Sequence, residues 1–286
     1  MKELRSLHRS PGVHWVGNGF PVQGLFDYNG LGRELSPFLL LDYAARREFP
    51  PGDGRRGVGA HPHKGFETVT VVFEGEIEHR DSGGGGGRIG PGDVQWMTAG
   101  RGIVHEEFHA ERFVRAGGPF HMVQLWVNLR AKDKGVAPAY QTLSRARIPE
   151  VPLPRDAGSV RVIAGRWGGR AGAARTLSAI ELWDVSLQGP ADLPLPEGHT
   201  AALLVVGGEV EVGGGRVAGD GELAVYARAG AGLAVRADGG ARLLVLGGEP
   251  FDEPVVGHGP FVMNSRAEIE QAFREYEEGR MGEIGR

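Results

Sequence analysis

The chain has 286 residues, 41% hydrophobic and 24% charged, with 32 Lys and Arg against 36 Asp and Glu. A net charge of −4 excludes wholesale polyanion binding, which needs clustered positive charge. The absence of cysteine excludes disulfides, thiolate catalysis, Fe–S clusters and cysteine zinc sites.

Glycine (49) and proline (18) make up nearly a quarter of the chain, which points to many short strands joined by tight turns. Residues 1–15 lack a signal-peptide core, and no apolar run reaches the roughly 18 residues of a membrane span. A cytoplasmic protein without membrane or direct nucleic-acid partners is expected.

In chain order, 68–73 (TVTVVF) reads as a strand, Glu74-Gly75-Glu76 as a turn, and 77–79 as its continuation. Five glycines, Gly83 to Gly87, form a loop almost without side chains. Gly90-Pro91-Gly92-Asp93 is a further turn before a strand at 94–97, and 122–129 (MVQLWVNL) is strongly strand-like. This rhythm predicts an all-β sandwich or barrel. The stretch 130–154 carries charge and Pro138, Pro149, Pro152 and Pro154, and reads as a linker with a short helix.

The second half repeats the first. Residues 71–78 match 204–211, with Gly75 and Gly208 133 positions apart. Gly92-Asp93 then matches Gly221-Glu222, and 99–103 matches 229–233. Ordered matches at nearly constant spacing indicate duplicated domains. The expected division is 1–135, a linker at 136–154, and 155–286. At the end, Ser265-x-x-Glu268 fits a capping box, and Ile269, Ala272, Phe273 and Tyr276 trace one helical face.

Eight of the ten histidines lie at or before position 121, so the chemistry is expected in the first half. Two clusters stand out, His61-Pro62-His63 and His105-Glu106-Glu107. Side chains at i and i+2 of a strand share a face, so His61 pairs with His63 and His105 with Glu107, while Glu106 turns away. On neighbouring strands these four would converge inside a barrel, and three imidazoles with one carboxylate suit a divalent transition metal. At the repeat spacing His105 corresponds to Val235 and Glu107 to Ala237, and His61 and His63 fall near Pro194 and Pro196. The second domain is therefore expected to lack the site. His79, His109, His121 and Asp42 read as surface or satisfied-core polarity, and Phe66, Phe73, Trp96 and Trp126 as core. Arg101, in the turn before the second cluster, is a candidate contact for an anionic substrate.

The segment His61-Pro62-His63-Lys64-Gly65-Phe66-Glu67-Thr68-Val69, followed by Pro91-Gly92-Asp93-Val94-Gln95-Trp96-Met97-Thr98-Ala99-Gly100-Arg101-Gly102-Ile103-Val104-His105-x-Glu107, resembles the pirin family of the cupin superfamily. So do 37–42 (PFLLLD), 124–129 (QLWVNL) and 259–264 (GPFVMN), so the resemblance spans nearly the whole chain; Lys64 departs from a common Arg. It implies two cupin-type β-barrels, a bicupin, with one metal in the first, held by His61, His63, His105 and Glu107. Many cupins take their carboxylate ligand from the first motif, where Glu67 lies; the resemblance to pirins assigns that place to Glu107 and leaves Glu67 a supporting group. The implied metal is Fe(II), with Mn, Ni, Co, Cu or Zn as alternatives. The implied activity is quercetin 2,3-dioxygenase-like oxidation of a small aromatic flavonol with O2, Glu107 being the candidate base. The alternative is a metal- or redox-dependent regulator acting through a protein partner.

Overall fold

The computed structural model describes residues 1–285. It divides into two compact units, each a β-sandwich closed toward a barrel.

The strands in order are β1 (Leu4–Arg9), β2 (His14–Val16), β3 (Phe20–Phe26), β4 (Phe38–Phe49), β5 (Gly57–His63), β6 (Phe66–Glu74), β7 (Ile77–Asp81), β8 (Gly86–Ile89), β9 (Val94–Thr98), β10 (Ile103–His109), β11 (Gly118–Asn128) and β12 (Ala139–Leu143). A one-and-a-half-turn helix, α1 (Glu111–Ala116), separates β10 from β11. The expected strands are all present, each extended by one to four residues at one or both ends or, at 122–129, ending a residue early. The five-glycine loop is shorter than expected. Gly86 and Gly87 belong to β8, and the turn is closed by the Asp81 carboxylate, which accepts from the Gly83 and Gly85 amides at 2.6 and 3.2 Å.

The first unit described, the histidine-bearing barrel, has a seven-stranded sheet, β12-β9-β6-β11-β4-β3-β2, and a four-stranded sheet, β5-β10-β7-β8. Its apolar interior at one end is built from Phe20, Phe49, Phe113 and Phe120 around β7 and β8.

The second barrel contains β13 (Glu150–Pro152), β14 (Gly158–Ala164), the two-residue strands β15 (Arg166–Trp167) and β16 (Arg170–Ala171), β17 (Ile180–Leu187), β18 (Pro190–Pro194), β19 (Thr200–Gly213), β20 (Arg216–Gly219), β21 (Glu222–Tyr226), β22 (Gly232–Arg236) and β23 (Ala241–Gly248). Its main strand order is β1-β21-β19-β23-β17-β14-β13, the same seven-strand path as in the first barrel. Equivalent turns repeat in detail. Gly75 and Gly208 both have left-handed φ, +86° and +79°, as do Gly92 and Gly221, +84° and +77°. The Asp93 carboxylate accepts from the Gly90 amide at 2.9 Å, and Glu222 accepts from Gly219 at 2.7 Å. Glycine is favoured at these turns because a side chain in that region strains the backbone.

The unit limits differ from the expected division. β1 pairs with β21 and so belongs to the second barrel, while the segment from Asp252 onward belongs to the first. Part of the expected linker is also sheet: β12 pairs with β9, and β13 with β14. The linker's prolines do not prevent this, because both are edge strands, where a missing N–H donor is tolerated.

The C-terminal segment forms a hairpin, β24 (Val256–His258) and β25 (Phe261–Met263), and then α2 (Arg266–Glu277). Ser265 caps α2: its hydroxyl accepts from the Glu268 amide at 3.3 Å and donates to the Glu268 carboxylate at 2.9 Å. Ile269 and Ala272 are buried against Val104 and Phe261, whereas Tyr276, expected on the same face, is largely exposed. The buried Lys134 ammonium donates to the Gly65 and Val262 carbonyls and to the Asn128 side chain at 2.6, 2.9 and 2.7 Å. Lys64 pairs with Glu275 of α2 at 2.6 Å. These contacts hold the hairpin against the loop that follows His63.

The second barrel's interior is aliphatic where the first carries ligands. By register, β22 sets Val235 opposite Ala191 and Leu233 opposite Leu193, as β10 sets His105 opposite His61 and Ile103 opposite His63. The counterparts of His61 and His63 are therefore Ala191 and Leu193, three residues before the expected Pro194 and Pro196. The spacing of the repeat shortens from 133 to 130 between elements because their connecting turns differ in length. Ala191, Leu193, Val235 and Ala237 all lie in the buried core. Leu193→Ala is expected to cost about 2–5 kcal/mol by leaving a cavity. Thermal melting checks the loss, and elemental analysis should find the metal content of the first barrel unchanged.

Candidate metal centre

β5 and β10 are antiparallel neighbours, with His61 directly opposite His105. The strand alternation brings His63 and His105 to the same interior face. A register shift between the His105 and Glu107 pairings sets Glu107 opposite Val58. One extra residue of β5 is taken up there, and Glu107 stays on the inner face.

His61, His63 and His105 each offer a ring nitrogen such that these atoms all lie within 4.8 Å of one another. The donor set fits a metal on two counts. His63 Nδ1 and His105 Nε2 are buried without a protein partner. The opposite nitrogens of two rings are engaged: His61 Nδ1 lies 2.8 Å from the Gly59 carbonyl, and His105 Nδ1 lies 3.4 Å from the Tyr140 hydroxyl. Such contacts fix ring orientation and leave the other nitrogen for ligation. Burial lowers the His61 pKa, and burial together with the neighbouring imidazoles holds His63 and His105 well below the usual histidine range. The rings are thus neutral and carry lone pairs at physiological pH.

Glu107 is not part of the three-imidazole cluster, yet it opens on the same cavity as His61 and His63. Burial pushes its carboxyl up to about 7. Glu67 lies elsewhere. It is buried on β6, accepts from the Thr98 hydroxyl at 2.6 Å, and is pushed up to about 7 by burial. Glu106 faces outward and pairs with Arg55 at 3.1 Å.

The cavity measures about 330 Å3, within the usual range of small-molecule sites. Val16, Phe20, Val22, Val58, Ile77 and Met122 make most of it apolar, and Gly259 and Pro260 of the C-terminal segment contribute to its wall. Two residues read from sequence as unremarkable line it as well. Trp126, expected in the core, stacks on Phe66 with ring centroids 4.2 Å apart and stands 5.2 Å from the His63 ring. Asp42, expected as bland polarity, also lines it. The alternation Met122-x-Gln124-x-Trp126 on β11 held the signal, since all three share the face that turns to the cavity.

The remaining singled-out residues lie outside the cavity lining. Arg101 is exposed, and its carbonyl accepts from Lys64 at 2.7 Å. His109 packs among Phe20, Phe49, Phe113 and Phe120. His121 lies 3.0 Å from the Tyr43 hydroxyl, and His79 stacks on Tyr140. Trp96 and Phe73 are buried in the core, as expected.

Comparison with known proteins agrees with this architecture. Residues 19–127 match the pirin family model and residues 182–282 the model of the pirin C-terminal cupin domain. A Pseudomonas aeruginosa protein named "Putative quercetin 2,3-dioxygenase" is 54% identical over 98% of both chains. Human pirin is 37% identical over 87% of this chain and 84% of that protein. A crystal structure of quercetin 2,3-dioxygenase from Acinetobacter baumannii superposes with a TM-score of 0.96 at 46% identity, covering all of both chains. No helix among the described residues is long and apolar enough to cross a membrane. With two cupin domains, three converging imidazoles in the first and aliphatic residues at their counterparts in the second, the chain belongs to the pirin family.

Proposed function

We propose that this protein is a mononuclear-metal dioxygenase that opens the ring of a flavonol, with His61, His63, His105 and Glu107 as ligands and Fe(II) as the metal. The observation that carries the reading is the imidazole triad, two of whose members, His61 and His63, border an apolar cavity of about 330 Å3. A closed metal beside an exposed apolar patch would favour the regulatory alternative; a triad that opens on an internal cavity supports an enzyme. The names of the Pseudomonas and Acinetobacter relatives support the substrate class.

A metal at the triad would supply Lewis acidity and a common point of attachment for the deprotonated flavonol and O2. The protein supplies the rest. The apolar walls exclude water, which strengthens charge interactions inside. Trp126 puts an aromatic side chain in the cavity wall beside His63, where it can pack against an aromatic substrate. Glu107 is the carboxylate placed to take the proton of the flavonol enol; burial pushes it up to about 7 in the metal-free protein, and a cation at the triad would hold it lower and make it a weaker base.

The test is elemental analysis of purified protein followed by oxygen uptake with a flavonol. One metal per chain and uptake that disappears both without O2 and after chelation are expected. Flavonol consumption that persists in either control removes the mechanism.

A further inference from the structure

The sheet that faces the histidine pair carries a polar row across its interior. Register sets Asp42 of β4 opposite Gln124 of β11, Gln124 opposite Thr70 of β6, and Thr70 opposite Gln95 of β9. Directly opposed residues share a face, so the four side chains form one line. Asp42, Gln124 and Thr70 reach the cavity surface. Two residues further along each of β4, β11 and β6, the interior row is Ala44, Met122 and Val72, all apolar and buried.

The second barrel provides an internal control. Its matching row is Trp183, Val245, Leu203 and Ala224, in the same register on β17, β23, β19 and β21. All four are core residues. The fold therefore does not require polarity there. Thr70 and Gln95 are buried and Asp42 and Gln124 half-buried, and drawing such groups out of water is unfavourable unless something bonds to them. The row occurs only in the barrel that holds the imidazole triad.

We propose that this row reads the ring hydroxyls of a polyhydroxylated aromatic substrate, with Asp42 as the acceptor that sets the preference. The proposal rests on the flavonol reading above and deepens it. The chemistry follows from position. The triad projects from the four-stranded sheet and the row from the seven-stranded one, so a planar molecule between them meets both. Thr70 donates to Gln124 Oε1 at 2.5 Å, which orients the Gln124 amide nitrogen as a donor to the ligand. Asp42 is a pure acceptor when ionised, suited to a phenolic O–H. Burial raises its pKa to about 6, opposed by His14 and reinforced by Asp27, so it is ionised at neutral pH. A site with a buried acceptor rejects an analogue lacking the matching hydroxyl, because the acceptor is then left desolvated and unpaired.

The experiment compares 3-hydroxyflavone, which has only the chelating hydroxyl, with quercetin, which has four more. Binding to metal-loaded protein is measured anaerobically by tryptophan fluorescence for wild type, Asp42→Asn and Asp42→Leu. Wild type should favour quercetin by about 10- to 100-fold, and Asp42→Leu should reduce that ratio to within about threefold. Asp42→Asn, which keeps an acceptor and nearly the same shape, should give an intermediate ratio and guards against misfolding of the leucine variant. A wild-type ratio near one, or a ratio unchanged in both variants, overturns the role of the row. If wild type still consumes oxygen with either flavonol in that case, the flavonol reading stands alone. If wild type neither binds nor oxidises either compound, both fall.

Discussion

His63→Ala is expected to empty the metal centre, leaving less than a tenth of the wild-type metal and no measurable oxygen uptake with a flavonol. His63 is buried, and its Nδ1 has no protein partner. Its ring lies 4.8 Å from that of His105 and 4.9 Å from that of His61, so its removal opens one side of the triad. Loss of a group that only orients a ligand weakens metal binding by about 10–100-fold, and loss of a ligand costs more. The fold should survive. The β5–β10 ladder is made by backbone groups, and Phe66 and Trp126 remain stacked beside the vacated space. Elemental analysis, oxygen uptake and a thermal melt together decide the matter. Uptake equal to wild type in a folded, metal-poor variant would show that the triad does not carry the activity.

Glu107→Gln should weaken metal binding by more than about 100-fold and also remove its pH dependence near neutrality. In the metal-free protein, burial holds the Glu107 carboxyl at about 7. The imidazoles are shifted the other way, so they are already neutral there. The proton that competes with a cation between pH 6 and 7 therefore sits on Glu107. The sign follows: below 7 the acid is neutral and must lose its proton to ligate, and above 7 no such cost remains. Wild-type affinity should rise by about tenfold per pH unit up to 7 and level off beyond it, whereas the glutamine variant should give a flat profile. Competition titration against a chromophoric chelator from pH 6 to 8 measures both. Parallel slopes would show that Glu107 is not a ligand, and the fourth position would need another occupant.

The two barrels explain how one framework supports a site in one copy and a packed core in the other. Counterpart positions carry histidine in the first and alanine, leucine or valine in the second, at the same places in the ladder. The turns are common to both copies because left-handed glycines and carboxylate-to-amide bonds are what close these hairpins. The scaffold is thus separable from the chemistry it holds.

Much of the centre was legible in the chain before any fold was known. His61-x-His63 and His105-x-Glu107 follow from a period of two, a property of a strand by itself. The aliphatic counterparts in the second barrel followed in kind from the internal repeat, although the positions of two of them needed the ladder. The capping box at Ser265 is likewise local, and its hydroxyl-to-amide geometry is set within four residues. What tertiary structure alone decided is the opposite wall. Asp42, Thr70 and Gln124 lie 28 to 82 positions apart and meet only because β4, β11 and β6 pair in one register. The exchange of terminal segments, β1 to the second barrel and α2 to the first, has the same origin. An edge strand or an amphipathic helix displays which face it buries but not against what, and the sheet edge or apolar surface that accepts it exists only once the rest of the barrel has formed.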